Sequence, residues 1–317
     1  MIEVRDLSRT YGPHKAIDHL TFTVKKGEVV GFLGPNGAGK TTTMKIIAGY
    51  MPPSEGSVSV AGFDVFENPI EVKKRIGYLP ETPPVYGEMT VESYLRFVAQ
   101  LKNVEKSRES ELVEKAIQKT DLGSVRSRLI QNLSKGYRQR VGISQALVSD
   151  PEVLILDEPT VGLDPRQVAE VRQLIKELKG HHTVILSTHI LPEVQAVCER
   201  IIIINKGKIV AQDSLESLSD RMRRQGAGRI ILRVGSPTDD LRTTLKEIPG
   251  VLTLHEKQPG SFEVETDGRS DLSQQLAAKI VTSGAGLIEI REEASNLEDI
   301  FLKLTTNEES QQEGAPV

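Results

Sequence analysis

The octapeptide Gly34-Pro35-Asn36-Gly37-Ala38-Gly39-Lys40-Thr41 constrains this chain more than any other feature. It fits the pattern G-x-x-x-x-G-K-[ST] and sits between a short apolar run, Val29 to Leu33, and a helical-looking stretch, Thr42 to Ala48. A glycine-rich turn between a buried strand and a helix lets backbone N–H groups curl around an anion, and the helix N-terminus adds partial positive charge. The loop therefore predicts an α/β core with a phosphate-binding turn at a strand end. In such a loop Lys40 reaches the β- and γ-phosphates of a nucleotide, Thr41 ligates Mg2+ through its hydroxyl, and Thr42 contacts the α-phosphate. Alone it specifies only a nucleotide, because GTPases and kinases share it.

Around the loop the apolar pattern comes in two styles. Ile2 and Val4, then Leu20, Phe22 and Val24, then Val58 and Val60 alternate with polar residues, the period of half-exposed antiparallel strands. Val29 to Leu33, Val153 to Leu156 and Val184 to Leu186 are continuous apolar runs, which suit parallel strands buried on both faces. Together they predict a mixed sheet core with an antiparallel β lobe. Between Met89 and Leu147 the spacing turns helical. Val91, Tyr94, Leu95 and Val98 share one face, and Leu112, Val113, Ala116 and Ile117 another. This marks a helical subdomain, about residues 88–148, inside a first domain spanning 1–218.

Ser219 to Gly228 is polar and basic with two glycines, and reads as a linker. Residues 229–306 then read as a small α+β domain. Strand Ile230 to Val234, helix Asp239 to Ile248, strands Val251 to Glu256 and Phe262 to Glu265, helix Asp271 to Thr282 and strand Leu287 to Ile290 give the βαββαβ order of a ferredoxin-like unit. A last helix is expected over Leu297 to Leu304, with Ile300, Phe301 and Leu304 on one face, and residues 307–317 read as a disordered polar tail.

Two strand ends supply the candidate chemistry. Val153 to Leu156 runs into Asp157-Glu158. Two adjacent acids are often only solvated charges, but after a phosphate loop Asp157 is placed to hold the magnesium shell. Glu158 is placed to orient or deprotonate an attacking water. The run Val184 to Leu186 closes on Ser187-Thr188-His189. A lone histidine is usually structural; at the C-terminal end of a strand in this kind of sheet, where ligands collect, His189 is placed to sense a γ-phosphate.

Upstream of the acidic strand lies Leu133-Ser134-Lys135-Gly136-Tyr137-Arg138-Gln139-Arg140. It resembles the signature of ABC ATPases, usually LSGGQ followed by a basic residue and a Gln-Arg pair. Ser134 and Gly136 match, whereas Lys135 and Tyr137 replace the first paired glycine and the glutamine. A serine hydroxyl, a glycine N–H and the start of a helix, Gly136 to Leu147, make an anion site. In ABC proteins that site faces the γ-phosphate held by the other subunit. Tyr11, in Thr10-Tyr11-Gly12, resembles the aromatic that stacks on adenine, and Val161-Gly162-Leu163-Asp164 resembles the D-loop, with Asp164 at the dimer seam. Ile76-Gly77-Tyr78-Leu79-Pro80-Glu81 resembles the Q-loop, with Glu81 where glutamine is usual. A carboxylate there can bind magnesium or its water but adds negative charge beside phosphates.

The resemblance covers about residues 2 to 215. It implies the P-loop NTPase fold of an ABC cassette, with ATP and Mg2+ as cofactors and Glu158, His189 and Lys40 as catalytic residues. The nucleotide would be bound by Tyr11, Gly34, Pro35, Asn36, Gly37, Ala38, Gly39, Lys40, Thr41 and Thr42, and by Ser134, Gly136 and Asp164 across a cassette dimer. Thr41, Asp157 and Glu81 are the implied metal ligands. The wording LSKGYRQR, the IGYLPE loop and the C-terminal extension resemble export-type ABC ATP-binding subunits, including those of gliding motility and multidrug export.

Composition narrows the setting. A formal charge of −4 over 317 residues is a poor match for chain-wide nucleic-acid binding, so no nucleic acid is expected as partner. The one cysteine, Cys198, cannot form an internal disulfide, which fits a reducing compartment, and it reads as a small core or surface residue. The first residues carry charges where a signal peptide needs an apolar stretch. No window approaches the roughly 18 continuous apolar residues of a spanning helix. The expected location is the cytoplasm, peripheral on the cytoplasmic face of the cell membrane. The expected partners are a second cassette, forming a homodimer, and a separate permease docking along Tyr78 to Tyr94.

Two other readings compete. One is a soluble ABC ATPase acting on ribosomes or DNA. Ribosome-associated members carry two cassettes in one chain, and here there is one loop and one signature. Chromosome-type members need a long coiled coil, and the gap from Thr41 to Ser134 is too short and too poor in heptads. The other is a nucleotide-binding regulator without turnover, against which Glu158 and His189 argue. In the C-terminal unit, Glu292, Glu293, Glu298 and Asp299 read as a solvated acidic face.

Overall fold

The alternating segments form a lobe with one buried face. In the computed structural model, which describes residues 1–218, 228–267, 269 and 271–293, β1 (Ile2–Tyr11) lies antiparallel between β2 (His14–Val24) and, on its other side, the strand Glu55–Val60. Ile2 stands opposite both Val24 and Val60, and Val4 opposite both Phe22 and Val58. All six are buried, so the period-2 pattern is one face of this lobe.

The continuous apolar runs form the parallel strands of a second sheet. Its strands are β3 (Val29–Leu33), then, after β4 (Glu55–Val60) and β5 (Phe63–Asp64) of the lobe, β6 (Ile76–Leu79), β7 (Val153–Asp157), β8 (Thr183–Thr188), β9 (Arg200–Asn205) and β10 (Lys208–Ser214), in the order β10-β9-β3-β8-β7-β6. β8 is parallel to both β3 and β7. Every residue of β3, β6, β7 and β8 is buried, which is why their sequences are apolar without alternation. Register aligns their ends: Leu33 pairs with Thr188, and Asp157 with Ser187. The main core joins the two sheets through α1 (Lys40–Ile47), with Met44, Ile46 and Ile47 packed among Phe22, Phe32, Val58 and Ile155.

After α2 (Pro69–Arg75), the helical subdomain consists of α3 (Val91–Leu101), α4 (Lys106–Lys119) and α5 (Lys135–Leu147). The predicted faces of α3 and α4 meet α5 at Val141 in a core of their own. Thr90 caps α3 by accepting from the Ser93 N–H, and Ser134 caps α5 by accepting from the Tyr137 N–H. Because Ser134 is the cap, α5 begins one residue before the expected start. α6 (Pro165–Leu178) and α7 (Leu191–Val197) complete this unit. Cys198 lies just past α7 in extended backbone and is buried, the core alternative of the two read from the sequence.

The chain divides into two compact units, Met1–Asp213 and Ser214–Val317. In the second, β11 (Gly228–Val234), a helix at Asp239–Lys246, β12 (Val251–Gln258), β13 (Ser261–Thr266), a helix at Leu272–Thr282 and β14 (Leu287–Glu293) follow in turn. The antiparallel sheet has the order β12-β13-β11-β14, the ferredoxin-like arrangement. Ile230, Leu232, Phe262 and Val264 pack against Leu241 and Leu245 of one helix and Leu276 and Ile280 of the other. Gly228 opens β11 instead of closing a linker. The rest of that linker, the helix expected over 297–304 with the acids at 298 and 299, and the tail 307–317 lie outside the described residues. Among the described residues no helix is long and apolar enough to cross a membrane.

Candidate nucleotide-binding and catalytic site

The loop after β3 is shaped by close backbone approaches. A Cβ on Gly34 would lie 2.4 Å from the Ile204 carbonyl oxygen. Gly39 has φ +104° and precedes α1 with no side-chain cap, so no side chain claims the N–H groups of the first turn. Helix α1 begins at Lys40, two residues before the expected start, because the left-handed Gly39 turns the chain directly into it. Lys40 is 6% exposed. Its Nζ donates to the carbonyls of Gly34 (2.8 Å) and Pro35 (3.2 Å) and lies 3.3 Å from Glu158 Oε1.

Glu158 follows β7 with φ +49°, a left-handed conformation that costs an L-residue about 1–2 kcal/mol. Its N–H donates to the Ser187 carbonyl at 2.8 Å, which fixes the turn. Such strain in a buried acid marks a site where geometry outranks local comfort. The Glu158 carboxylate meets His189 Nδ1 at 3.1 Å from both oxygens. Three residues named from separate motifs, Lys40, Glu158 and His189, therefore touch, since β3, β7 and β8 end side by side.

Asp157 is fully buried beneath them. Ser187 Oγ donates to its Oδ1 at 2.7 Å, while Oδ2 has no hydrogen-bond partner. Burial pushes this carboxyl above the usual carboxylate range; the Ser187 hydrogen bond and the nearby Thr41 hydroxyl oppose the shift, and the charges of Glu158 and Glu81 add to it. An orphaned buried oxygen beside the Thr41 hydroxyl, with Glu81 on the rim, is a set of hard oxygen donors. It fits Mg2+, which takes one or two carboxylates together with phosphate oxygens. Among the described residues no group of three or more His, Cys, Asp or Glu is placed to hold a metal, in keeping with so sparse a donor set.

These groups open into a cleft of about 580 Å3. Asn36, Gly37, Gly39 and Lys40 to Thr42 line its floor, with Glu81, Glu158 and His189 to one side. Tyr11 lines it too, 42% exposed, with the Arg9 guanidinium 5.0 Å from its ring centre and its hydroxyl on Met51 Sδ at 3.2 Å. Of the other loop residues, Gly34 and Pro35 act through the carbonyls that hold Lys40, and Ala38 is buried in the core. His14 and Ala16 also line the cleft, and no motif pointed to them; Val161, the first residue of the D-loop-like run, lines it as well.

Ser134, Gly136 and Asp164 do not line this cleft. Ser134 caps α5, and Asp164 caps α6 by accepting from the Gln167 N–H at 3.0 Å. Gly136 is pressed so close to Gln167 that a Cβ would lie 2.4 Å from its side-chain oxygen. The departing residue Lys135 extends over the D-loop, with its ammonium against Gly162.

A phosphate loop, a buried strand-end carboxylate pair and a histidine on the neighbouring strand define a P-loop nucleotide hydrolase. A family model described as ABC transporter matches residues 17–161. The chain is 33% identical over 312 residues to the bacitracin transport ATP-binding protein BcrA of Bacillus licheniformis, covering 96% of this chain and 97% of that one. A solved ATP-binding subunit of an ABC transporter matches with TM-score 0.65 and 32% identity, over 70% of this chain and 92% of that one. A bacterial ABC transporter cassette solved as a dimer matches with TM-score 0.63 and 25% identity, over 68% and 99%. The chain belongs to the ABC transporter ATP-binding proteins, and it binds and hydrolyses ATP as such a subunit.

Proposed function

We propose that two cassettes, in the simplest case two copies of this chain, close head to tail on two ATP molecules at the cytoplasmic face of a membrane and drive a separate permease, in the direction of export. One observation carries the catalytic reading. Glu158 is a strained, buried carboxylate that touches both Lys40 and His189 at the mouth of a phosphate loop.

In this reading Tyr11 stacks on the adenine, and the loop with the first turn of α1 holds the phosphates. Lys40 transfers its ammonium from the Gly34 and Pro35 carbonyls and Glu158 to the β- and γ-phosphates. That frees Glu158 to orient the attacking water and take its proton. His189 keeps its hold on Glu158 through Nδ1 and presents its other nitrogen toward the γ-phosphate. Thr41 and Asp157, with Glu81 nearby, would hold Mg2+, which would supply positive charge against the nucleotide's phosphates. Ser134, Gly136 and Asp164, which this chain's own cleft does not use, belong to the neighbouring cassette's site. The dimeric cassette among the structural relatives supports that pairing. The permease docks in a separate groove of about 590 Å3 with Tyr78, Tyr86, Tyr94 and Phe97 on its walls. The bacitracin transport relative, matched along nearly the whole chain, supports transport as the coupled work.

The test is Glu158→Gln. The variant should bind ATP, pair in its presence and lose turnover by about 10²–10⁴-fold, the usual share of a general base. Turnover at the wild-type rate would sink the assignment. ATP-trapped Glu158→Gln, tagged and recovered from gently solubilised cells, should carry a polytopic membrane protein. Recovery of ribosomal proteins or DNA factors with no membrane protein would overturn the transporter reading.

A further inference from the structure

One buried carboxylate joins the two loops that face the reaction. Glu193 lies in the first turn of α7 and is 3% exposed. One of its oxygens accepts from the Thr160 hydroxyl at 2.6 Å, and the other from the Thr188 hydroxyl at 3.0 Å. Both threonines are buried and both adjoin the site. Thr188 ends β8: its carbonyl accepts from the Gly34 N–H at 3.3 Å, and the next residue is His189, which holds Glu158. Thr160 lies two residues past Glu158, in a turn where the Val161 N–H donates to the Glu158 carbonyl (3.3 Å) and the Leu163 N–H to the Thr160 carbonyl (3.1 Å). That turn leads to Asp164 and the start of α6.

We propose that Glu193 is a positioning residue for ATP hydrolysis, clamping the turn after Glu158 to the strand end before His189. The inference rests on the catalytic reading of Glu158 and adds the group that holds Glu158 and His189 in one relative placement. Packing alone does not call for an acid at this position, since an apolar side chain of similar size fills the same space without losing hydration. What a carboxylate adds is direction. Each oxygen takes one hydroxyl proton, and so fixes one rotor on each loop. The Thr188 hydroxyl is fixed twice, because it also accepts from the Ile190 N–H at 3.1 Å. Glu193 thereby ties residues 33 and 5 positions away from it to one point.

Three variants of the full chain test the clamp: Glu193→Ala, Glu193→Gln and Thr160→Val. Each is measured for kcat at saturating ATP, for the Kd of a labelled nucleotide and for Tm. Glu193→Ala should lower kcat by about 10–100-fold, the scale of a small misplacement of catalytic groups, and leave the nucleotide Kd unchanged. Glu193→Gln should recover most of kcat. Its carbonyl still accepts from Thr188, and its amide donates to the Thr160 oxygen, which can accept as well as donate. Thr160→Val should lower kcat alone and add nothing in the Glu193→Ala background, because one contact is then already absent. Wild-type kcat in Glu193→Ala overturns the proposal. So does a Gln variant no better than Ala, or a loss of kcat that Kd matches, which is the mark of a purely structural role. If Glu193→Ala does not fold, Thr160→Val carries the test, and wild-type kcat there overturns the clamp. A fully active Glu158→Gln sinks the catalytic reading itself; an inactive Glu158→Gln beside a fully active Glu193→Ala sinks only the clamp.

Discussion

Gly77 makes a sharp prediction because its partner cannot move aside alone. It lies in β6 under the C-terminal end of α5, and a Cβ built on it would stand 1.9 Å from the Ala146 carbonyl oxygen. Real Cβ atoms essentially never come nearer than 3.0 Å to such a neighbour, so Gly77→Ala forces a separation of at least 3.0 − 1.9 = 1.1 Å. The obstacle is helix backbone, so no rotamer change relieves it and α5 must back off β6. Overpacking of a buried site costs about 1–3 kcal/mol. At about 2–4 °C per kcal/mol for a unit of this size, Tm should fall by about 2–12 °C. The displacement also reaches function. Helix α5 begins at the Ser134 cap and carries Gly136 in its first turn. Turnover should therefore fall toward the roughly 100-fold loss that a 1 Å misplacement produces. Nucleotide affinity should hold, because the phosphate loop hangs from β3. Urea unfolding, calorimetry, steady-state ATP hydrolysis and a labelled-nucleotide titration read these four quantities. The control is Gly123→Ala, where a Cβ meets nothing within 4 Å; it should be neutral or stabilising by up to about 1 kcal/mol. If Gly77→Ala unfolds within about 0.5 kcal/mol of wild type, the ordinary range of a surface change, the steric argument is wrong.

Tyr11→Ala should raise the Kd for ATP by roughly 5–150-fold, the equivalent of about 1–3 kcal/mol of base stacking, with Tyr11→Phe close to wild type. A labelled-nucleotide titration in which Tyr11→Ala binds normally would remove Tyr11 from the site. Glu92 accepts from Arg96 at 3.0 Å and from Arg126 at 3.0 Å, joining α3 to the loop after α4, and these bonds hold its carboxyl below the usual carboxylate range. Its stabilisation is therefore present above the ordinary carboxylate pKa and is lost as pH falls through the lowered folded-state value. Glu92→Gln should cost about 0.2–1 kcal/mol at pH 7 by urea unfolding, with the gap closing as the pH is lowered. A gap that widens on acidification would refute the sign.

The linear motifs were legible because each carries its own geometry. The phosphate loop needs a buried strand before it and a helix after it, and the continuous run Val29–Leu33 announces the first. The same style of run at β7 and β8 placed Asp157 and His189 at strand ends, and parallel register then brings those ends together without further information. What was illegible depends on partners distant in the chain. The sequence placed Gly77 in a loop motif, yet its lack of a side chain answers to the Ala146 carbonyl. Thr160 and Glu193 are joined across 33 positions, and nothing local to either distinguishes it from an ordinary loop or helix residue. Periodicity reports which face is buried, not what it is buried against.

Ser134, Gly136 and Asp164 carry that point one step further. Each has a local duty that explains its residue type: Ser134 and Asp164 accept from backbone N–H groups at the starts of α5 and α6, and Gly136 admits Gln167 of α6 at close range. A residue with a sufficient local explanation would ordinarily need no functional one. Yet Gly136 against Gln167 and Lys135 laid over Gly162 press the start of α5 against α6 and the turn before it. Ser134, Gly136 and Asp164 therefore sit on neighbouring, mutually packed turns, and none of the three lines the cleft that its own chain offers to ATP. In the proposed dimer, a surface that meets a γ-phosphate held by another cassette gains from such packing, since a donor fixed before closure loses no freedom when closure comes. On this argument the local caps do not compete with the functional role. In the proposed dimer they are how a single chain prepares its half of two shared sites.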